Sequence, residues 1–565
     1  MTRDDMASGS RFSRLDSRWP RLAGLLASTL ALWTILTTLA AVIAANCDLP
    51  YEDEWDTWMT WLKQGYSPAW FFALHNDHRI ATTRLLFAIG HLVFHGRVWV
   101  PQVASLAVQA SLTLLLWRLA RRAGVSDAED RRVLGAAIAC CLFSAQQSIN
   151  FIWGFQVQFF LVYAAGAAAL WALLRCAEAA RPARRGAWIA ACLLLGAACS
   201  YSMANGVLIW PVLLLAAVWL RVGRAVLGVL AAGGVLLCAL YLHGWHTSPL
   251  DAPAPLWRVV WFALAHAGAP IVPLVRALGG SPPGVGIAAT LIGGMLLAYA
   301  AVQGLQVWTR SPRYSGAQVV LVHFAIFVAA ASFAIAAGRA HLQLTDAFRS
   351  RYITPPYILW ACLLAIAWPR LRSLGPQAMR WAVVAALLLG IVPYQVAKLR
   401  AARELGAEFT QTSVALAVEV NDPAVWPYLL RPVTDSAPAV EYLKAHRLAI
   451  FYHEWTHWPG QPLTPRFSLD AGVSACRGGI LDVTPVNDPS RPGWRVSGWA
   501  RATSGGSPGL IVLADSNGGI AGVGLAVSGE WMGYARPGSP VLTAYAVEPN
   551  GKTLCFLGTR NLGLR

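Results

Sequence analysis

Charge is scarce in this chain. Asp, Glu, Lys and Arg make up 13% of its 565 residues, against 56% hydrophobic residues, and mean hydropathy is +0.49. A chain this apolar would aggregate in water, which excludes a soluble enzyme. Its repeated apolar runs of about 18–22 residues match the hydrocarbon thickness of a bilayer instead. Lysine is nearly missing: the basic residues are almost all arginine, a matter of codon usage. The net charge of +17 would point to nucleic acid in a soluble protein. Here the arginines fall in short connections between apolar runs, where the positive-inside rule accounts for them, so no nucleic-acid partner is expected. The ten cysteines lack metal spacing. Cys140, Cys141, Cys176, Cys192, Cys199, Cys238 and Cys362 lie in or beside apolar runs, as small hydrophobes do. Cys476 and Cys555 remain in the polar C-terminal part, able to form a disulfide if that part is outside the cytoplasm.

What is present is a series of membrane-length segments, at 22–45, 98–117, 133–149, 157–174, 187–201, 205–220, 225–242, 286–307, 318–337, 354–368 and 381–397. Arg3, Arg11, Arg14, Arg18 and Arg21 precede the first. It is too long for a signal-peptide core and reads as an uncleaved helix with its N-terminus inside. Every second connection is then cytoplasmic, and these hold arginines throughout, from Arg118, Arg121 and Arg122 to Arg370, Arg372 and Arg380. Segment 256–278 is apolar but broken by Pro270 and Pro273, and is expected to be re-entrant or interfacial.

The predicted fold is therefore a polytopic α-helical membrane protein of about eleven transmembrane helices, N-in and C-out, with a C-terminal extracytoplasmic β-sandwich-like domain. A cytoplasmic tail (1–20) leads into a transmembrane module (21–397) with outer loops 46–97 and 338–353. An extracytoplasmic helical and loop connector (398–469) joins it to the β-rich domain (470–565). In the connector a helix is expected at SAPAVEYLKAHRL, with Ser436 as its N-cap. SNGG (516–519) and PNGK (549–552) are hairpin signals.

The acids gather in one place. In CDLPYEDEWDTW (47–58) Glu52, Asp53, Glu54 and Asp56 crowd together just beyond the first helix. Trp55, Trp58, Trp61 and Leu62 recur at helical spacing, a stripe suited to a helix lying at the membrane interface. Asp53 and Asp56 then share another face, and Glu54 points about 100° away from Asp53. Carboxylates favour a helix N-terminus, which accounts for one or two of these acids. The same loop ends in LHNDHRIATTRLL, where His75, His78 and Arg79 at i, i+3, i+4 would share a helical face. An ion-paired, solvated loop is one reading. A general base beside groups that bind a phosphate anion is another. No firm metal spacing is present, and a divalent metal stays open.

A second outer candidate, GRAHLQLTDAFRSRYITPPY (338–357), holds Arg339, His341, Asp346, Arg349, Arg351 and Tyr352. Arginines outside run against the positive-inside bias. A lipid phosphate matched by guanidinium forks would offset that cost; interfacial snorkelling is the plainer reading. The third, QQSINFIWGFQVQFF (146–160), sets Gln146, Gln147, Asn150, Gln156 and Gln158 around Trp153 and Phe155. Amides and aromatics suit sugar hydroxyls and ring faces, and equally suit a plain interhelical turn.

Asp53-Glu54-Trp55, His78-Arg79, Trp153-Gly154-Phe155-Gln156 and Ser350-Arg351-Tyr352, in that order and assigned to one side of the membrane, resemble the C superfamily of glycosyltransferases (GT-C). An Asp-Glu pair after helix one marks that superfamily. The layout looks like a bacterial branch with an arabinofuranosyltransferase-like arrangement, and the tail is similar to a carbohydrate-binding-like domain. The resemblance implies an inverting enzyme of the bacterial inner (cytoplasmic) membrane with its C-terminal domain in the periplasm. It would transfer sugar from a polyprenyl-phosphate donor to a hydroxyl on a glycan, a lipid-linked acceptor or a protein, among membrane lipids. Asp53 would be the base, with Glu54 orienting the acceptor or sharing the role and Asp56 a further candidate. His78, Arg79, Arg339, Arg349, Arg351 and Tyr352 would hold the departing phosphate; Trp55, His75, Trp153 and Gln156 would hold sugar or acceptor. An O-antigen ligase or polymerase is an alternative, though such enzymes usually carry Arg and His in a large late loop. A lipid-linked sugar transporter or flippase is another; the near absence of mid-span charge and of internal repeats counts against it.

Overall fold

The computed structural model describes residues 3–245, 254–310, 313–425, 433–469, 476–502, 508–527 and 529–563. Parts of the expected outer connection 243–285, of the connector and of the start of the β-rich domain (246–253, 426–432 and 470–475) lie outside the described residues. The chain gathers into two compact units. The first comprises Met1–Ile43, Phe71–Leu86 and Pro101–Ala401; the second comprises Ala44–Trp70, Phe87–Val100 and Ala402–Arg565.

The first unit is helical, and the expected segments fall on helices. Among the described residues 8 helices are long and apolar enough to cross a membrane, or 9 if a bent pair is one span. Leu25, Leu194, Val235, Leu291 and Met295 are each more than 60% exposed, the mark of surfaces solvated by lipid rather than water. The chain is a polytopic membrane protein. Three expected segments fall short as spans. Pro182–Ser200 opens on Arg184 and Arg185, Ala204–Trp219 is short, and Thr354–Leu374 closes on Arg370 and Arg372.

Segment 256–278 is a pair of helices, Leu256–Ala267 and Ala269–Ala277, bent by 50°. Gly268, Pro270 and Pro273 supply the break. A Cβ on Gly293 would stand 1.8 Å from the Leu264 carbonyl oxygen, and one on Gly268 1.9 Å from that of Ala289. The helix Leu256–Ala267 thus meets Pro282–Thr309 backbone to backbone, as small residues permit in membranes. Gly293→Val is expected to cost about 1–3 kcal/mol through overpacking, read as a lower thermal midpoint in detergent by tryptophan fluorescence. An unchanged midpoint would show that the contact contributes nothing.

His75, His78 and Arg79 do not share a helix. Leu74–His75 (β1) and His78–Arg79 (β2) pair antiparallel, with His75 opposite His78. Asn76 takes φ 49° in the two-residue turn, a conformation asparagine tolerates well. Turn chemistry at Asn76-Asp77 overrides the helical spacing.

The second unit carries an eight-stranded sheet: β3 (Ser468–Leu469), β4 (Cys476–Val486), β5 (Gly493–Ala502), β6 (Leu510–Ala514), β7 (Ile520–Val527), β8 (Glu530–Ala535), β9 (Val541–Val547) and β10 (Thr553–Asn561). Strand order is β3-β10-β9-β6-β7-β8-β5-β4, antiparallel apart from β3 with β10. Both expected hairpins form. Asp515 Oδ1 accepts the Asn517 and Gly519 N–H groups at 2.8 Å, and Asn550 Oδ1 accepts those of Lys552 and Thr553 at 2.9 Å. All eight strands pair in one continuous sheet, and the strands toward its two ends, β4 and β10, meet. Glycines let its strands approach and coil: a Cβ on Gly522 would lie 1.9 Å from the Tyr534 carbonyl oxygen. Val496, Ile511, Leu513, Trp531 and Leu542 fill its core. The Cys476–Cys555 disulfide ties β4 to β10, with Cα atoms 6.1 Å apart and a sequence separation of 79. For a loop of that length, Cys555→Ser is expected to cost the sheet about 4 kcal/mol, measured as a shifted denaturant midpoint. A midpoint indifferent to reducing agent would contradict this. The connector helix runs Val433–Ala445, so Ser436 lies inside it, buried, rather than at its cap.

Candidate functional site

In the first unit, three of the stretches singled out above come together. The stretch 146–160 is a scaffold. Its Gln146 carbonyl accepts the Ser350 hydroxyl at 2.5 Å, and Gln146 Oε1 accepts the Tyr357 hydroxyl at 2.6 Å. Asn150 Nδ2 donates to the Arg351 carbonyl at 3.1 Å and to Thr354 Oγ1 at 2.9 Å. His266 Nε2 meets the Tyr352 carbonyl at 2.7 Å. The turn Ser350–Tyr352 is therefore clamped by three separate elements, since a buried backbone carbonyl must find a donor. Trp153 and Gln156 are buried, and Trp153 stacks on Phe155 at 5.9 Å.

On that turn two cations meet one ring. Arg339 Nε donates to the Tyr352 hydroxyl at 3.1 Å, and the Arg351 guanidinium lies 4.9 Å over the Tyr352 ring. Arg351 Nε is enclosed with no hydrogen-bond partner among the described residues. The hairpin joins them: the His75 ring packs 4.9 Å from that of Phe155, and the charge of Arg339 acts on His78. Burial pushes His78 down to about 4, helped by Arg339 and His75 and opposed by Asp77. The residue as a whole is half-buried, yet its ring is enclosed, and enclosure governs the proton. His78 is thus neutral at pH 7 and offers a hydrogen bond rather than a charge.

Two further arginines are held by carbonyl and carboxylate groups of the protein. Arg79 donates from Nε to the Tyr241 carbonyl at 2.7 Å and from its two terminal nitrogens to the Phe72 and His243 carbonyls. Its backbone N–H donates to the Tyr241 hydroxyl at 3.1 Å. Arg349 is ion-paired with buried Asp346.

Asp53, Glu54, Trp55 and Asp56 belong to the second unit, at the start of helix Asp53–Gln64. Glu54 is 1% exposed, and its Oε2 accepts the Tyr51 N–H at 3.0 Å. Asp53 and Asp56 are half-buried, one turn apart. The tryptophan stripe is not an interfacial anchor but a packing face. Trp55 and Trp58 are buried; Trp58 meets Trp61 at 5.8 Å and His91 at 4.9 Å, and Trp61 meets Tyr442 at 5.1 Å. Edge-to-face aromatic pairs of this kind gain more from one another than from water.

Several residues escape a reading of the sequence. Asp48 lies inside CDLPYEDEWDTW, yet the four acids after it draw attention away. Its Oδ2 accepts from Arg97 Nη2 at 2.8 Å and Nε at 2.9 Å, and from His453 Nε2 at 3.2 Å. His266 had a signal, an ionisable residue in a proline-broken apolar run. Tyr241 had none. Within either unit taken alone, no three Asp, Glu, His or Cys ligand atoms converge among the described residues.

No protein-family model matches the chain, and no curated protein matches it. Among solved structures it is similar to the apo crystal structure of ArnT from Cupriavidus metallidurans, at 15% identity and a TM-score of 0.38, over 74% of this chain and 75% of that one.

Proposed function

We propose that the chain is a GT-C-type glycosyltransferase that moves a sugar from a polyprenyl-phosphate donor to an acceptor hydroxyl at the outer face of a bacterial inner membrane. The observation that carries this reading is the meeting of Arg339 and Arg351 on Tyr352, in a turn clamped by Gln146, Asn150 and His266. Guanidinium groups gathered on one ring suit an anion. A departing phosphate monoester brings up to two negative charges and oxygens that suit guanidinium forks.

In the proposed reaction the acceptor oxygen attacks the anomeric carbon, the carbon–oxygen bond to phosphate breaks, and its electron pair leaves with polyprenyl phosphate. Attack opposite the leaving group inverts the centre. The hydroxyl proton passes to a carboxylate, assigned here to Asp53 with Asp56 as the second candidate; Glu54 orders the helix start. Arg339 and Arg351 stabilise charge as it develops on the phosphate, and neutral His78 donates a hydrogen bond. Arg79 and Arg349 hold the hairpin and the 344–352 loop in place. Trp153 and Gln156 shape the surroundings of the sugar from buried positions. The acceptor is a glycan, lipid-linked or protein hydroxyl, and the sheet domain lies in the periplasm.

The test is to supply purified protein in nanodiscs with a panel of labelled polyprenyl-phosphate sugars. One sugar should be consumed, and Arg351→Ala should lower its transfer by about 10²–10³, the usual loss on removing a charge-stabilising donor. Arg349→Ala should change it only a few-fold. Failure to consume or bind any donor, or full activity in Arg351→Ala, would sink the proposal. A reporter enzyme fused to the C-terminus that proves active in the cytoplasm would overturn the outer assignment.

A further inference from the structure

At the arginine-rich end of the first unit, helices Trp99–Arg122 and Ala128–Leu142 flank an open cavity of about 420 Å³ lined by Trp117, Arg121, Arg131, Arg132 and Gly135. Its volume falls within the range of about 300–1,000 Å³ typical of ligand sites. One wall is built with care. A Cβ on Gly135 would lie 2.9 Å from Trp117 Cδ1, so the indole seats only because residue 135 has no side chain. The indole N–H donates to the Arg131 carbonyl at 3.4 Å, and the Arg121 guanidinium lies 4.7 Å over the indole face. A guanidinium stacked in this way keeps its N–H edges available.

The acids at the start of helix Ala128–Leu142 are already engaged. Glu129 pairs with Arg132 at 2.6 Å. Asp127 and Asp130 pair with Arg380 at 2.9 and 2.7 Å, and Arg372 adds a contact to Asp130 at 3.1 Å. Arg122 turns away, over Trp171 and toward Glu178. From residue 21 onward, no described carboxylate pairs with Arg121 or Arg131, which line the cavity. Trp117 stands within two turns of the end of a 24-residue span, the depth at which phospholipid headgroups lie.

We infer that this cavity binds the phosphate headgroup of an anionic phospholipid from the leaflet on the arginine-rich face. Arg121 and Arg131 grip the phosphate, and Trp117 forms the floor at the level of the glycerol. The site shares no residue with the proposed transfer chemistry and stands or falls apart from it.

The experiment compares wild-type protein with Arg121→Gln/Arg131→Gln. Each is reconstituted with phosphatidylglycerol or phosphatidylcholine, and the lipid retained through detergent exchange is counted by native mass spectrometry. Wild type should retain phosphatidylglycerol and not phosphatidylcholine. The double variant should lose about thirty-fold in phosphatidylglycerol affinity, the equivalent of about 1 kcal/mol per arginine. Gly135→Leu, which displaces the indole, should lose as much, whereas Arg184→Gln/Arg221→Gln, which removes as much charge elsewhere, should not. Equal retention by wild type and both cavity variants would overturn the proposal. So would displacement of the lipid by millimolar inorganic phosphate, which would mark a site for a free anion. Unchanged circular dichroism of the double variant shows that lost lipid is not lost fold.

Discussion

Asp53→Asn is expected to lower sugar transfer by about 10²–10⁴, the range for removing a general base. Asparagine keeps the size and hydrogen-bonding reach of aspartate but cannot take a proton, so helix Asp53–Gln64 should persist. Asp56→Asn, one turn further on, should cost less than tenfold if the base is Asp53. Glu54→Gln should act on stability more than on chemistry, because that side chain is buried and holds the Tyr51 N–H. Initial rates at saturating donor, with circular dichroism as the fold control, separate the three. Loss confined to Asp56→Asn would move the base one turn along; full activity in both aspartate variants would remove the proton transfer from this helix altogether.

Asp48→Ala is expected to destabilise the second unit by about 2–3 kcal/mol. Breaking a fully buried ion pair costs about 3–5 kcal/mol. Here Asp48 is nearly buried, but Arg97 and His453 are about a third exposed, so water recovers part of the loss. The same residue sets an acid limit. Burial alone would raise the Asp48 carboxyl, but hydrogen bonds from His453 and Arg97, with their charges, outweigh it and hold the group below the ordinary carboxylate range. A lowered folded-state pKa contributes stability that is fully present above the unfolded value, about 3.9, and is lost as pH falls through the folded one. The thermal midpoint of the wild type should therefore drop more steeply below about pH 4 than that of Asp48→Asn. Parallel curves would remove Asp48 from the account of acid stability.

The parts legible in the sequence are those set by local or periodic forces. Apolar runs gave the membrane helices, Pro270 and Pro273 gave the break in 256–278, and the Asn-Gly turns gave two hairpins. Asp53 and Asp56 kept the one-turn spacing their positions imply, with Glu54 directed elsewhere. What was illegible depended on partners far along the chain or on competition between local signals. The His75–Arg79 spacing fits a helix, but Asn76-Asp77 folds it into a hairpin. The tryptophan stripe has the right period for a membrane surface and the same period for packing on Tyr442 and His91. The continuous pairing of the sheet depends on cross-strand positions such as Gly522 against the Tyr534 carbonyl, which single-strand alternation does not encode. Arg79 and Arg349 carry the charge a phosphate wants, yet their carbonyl and carboxylate partners appear only in three dimensions.

Asp48 and His453 are 405 residues apart in the chain. At about 5–20 residues per second, synthesis separates their appearance by about 20–80 s. Over that interval Trp61 lacks Tyr442 and Asp48 lacks His453, so the second unit is still incomplete after every membrane helix before residue 376 has been made. Its closure is a late event in the life of each molecule. A chain stalled or cut before residue 402 would present its aromatic residues to whatever sorts unfinished membrane proteins, with the helical unit already in place.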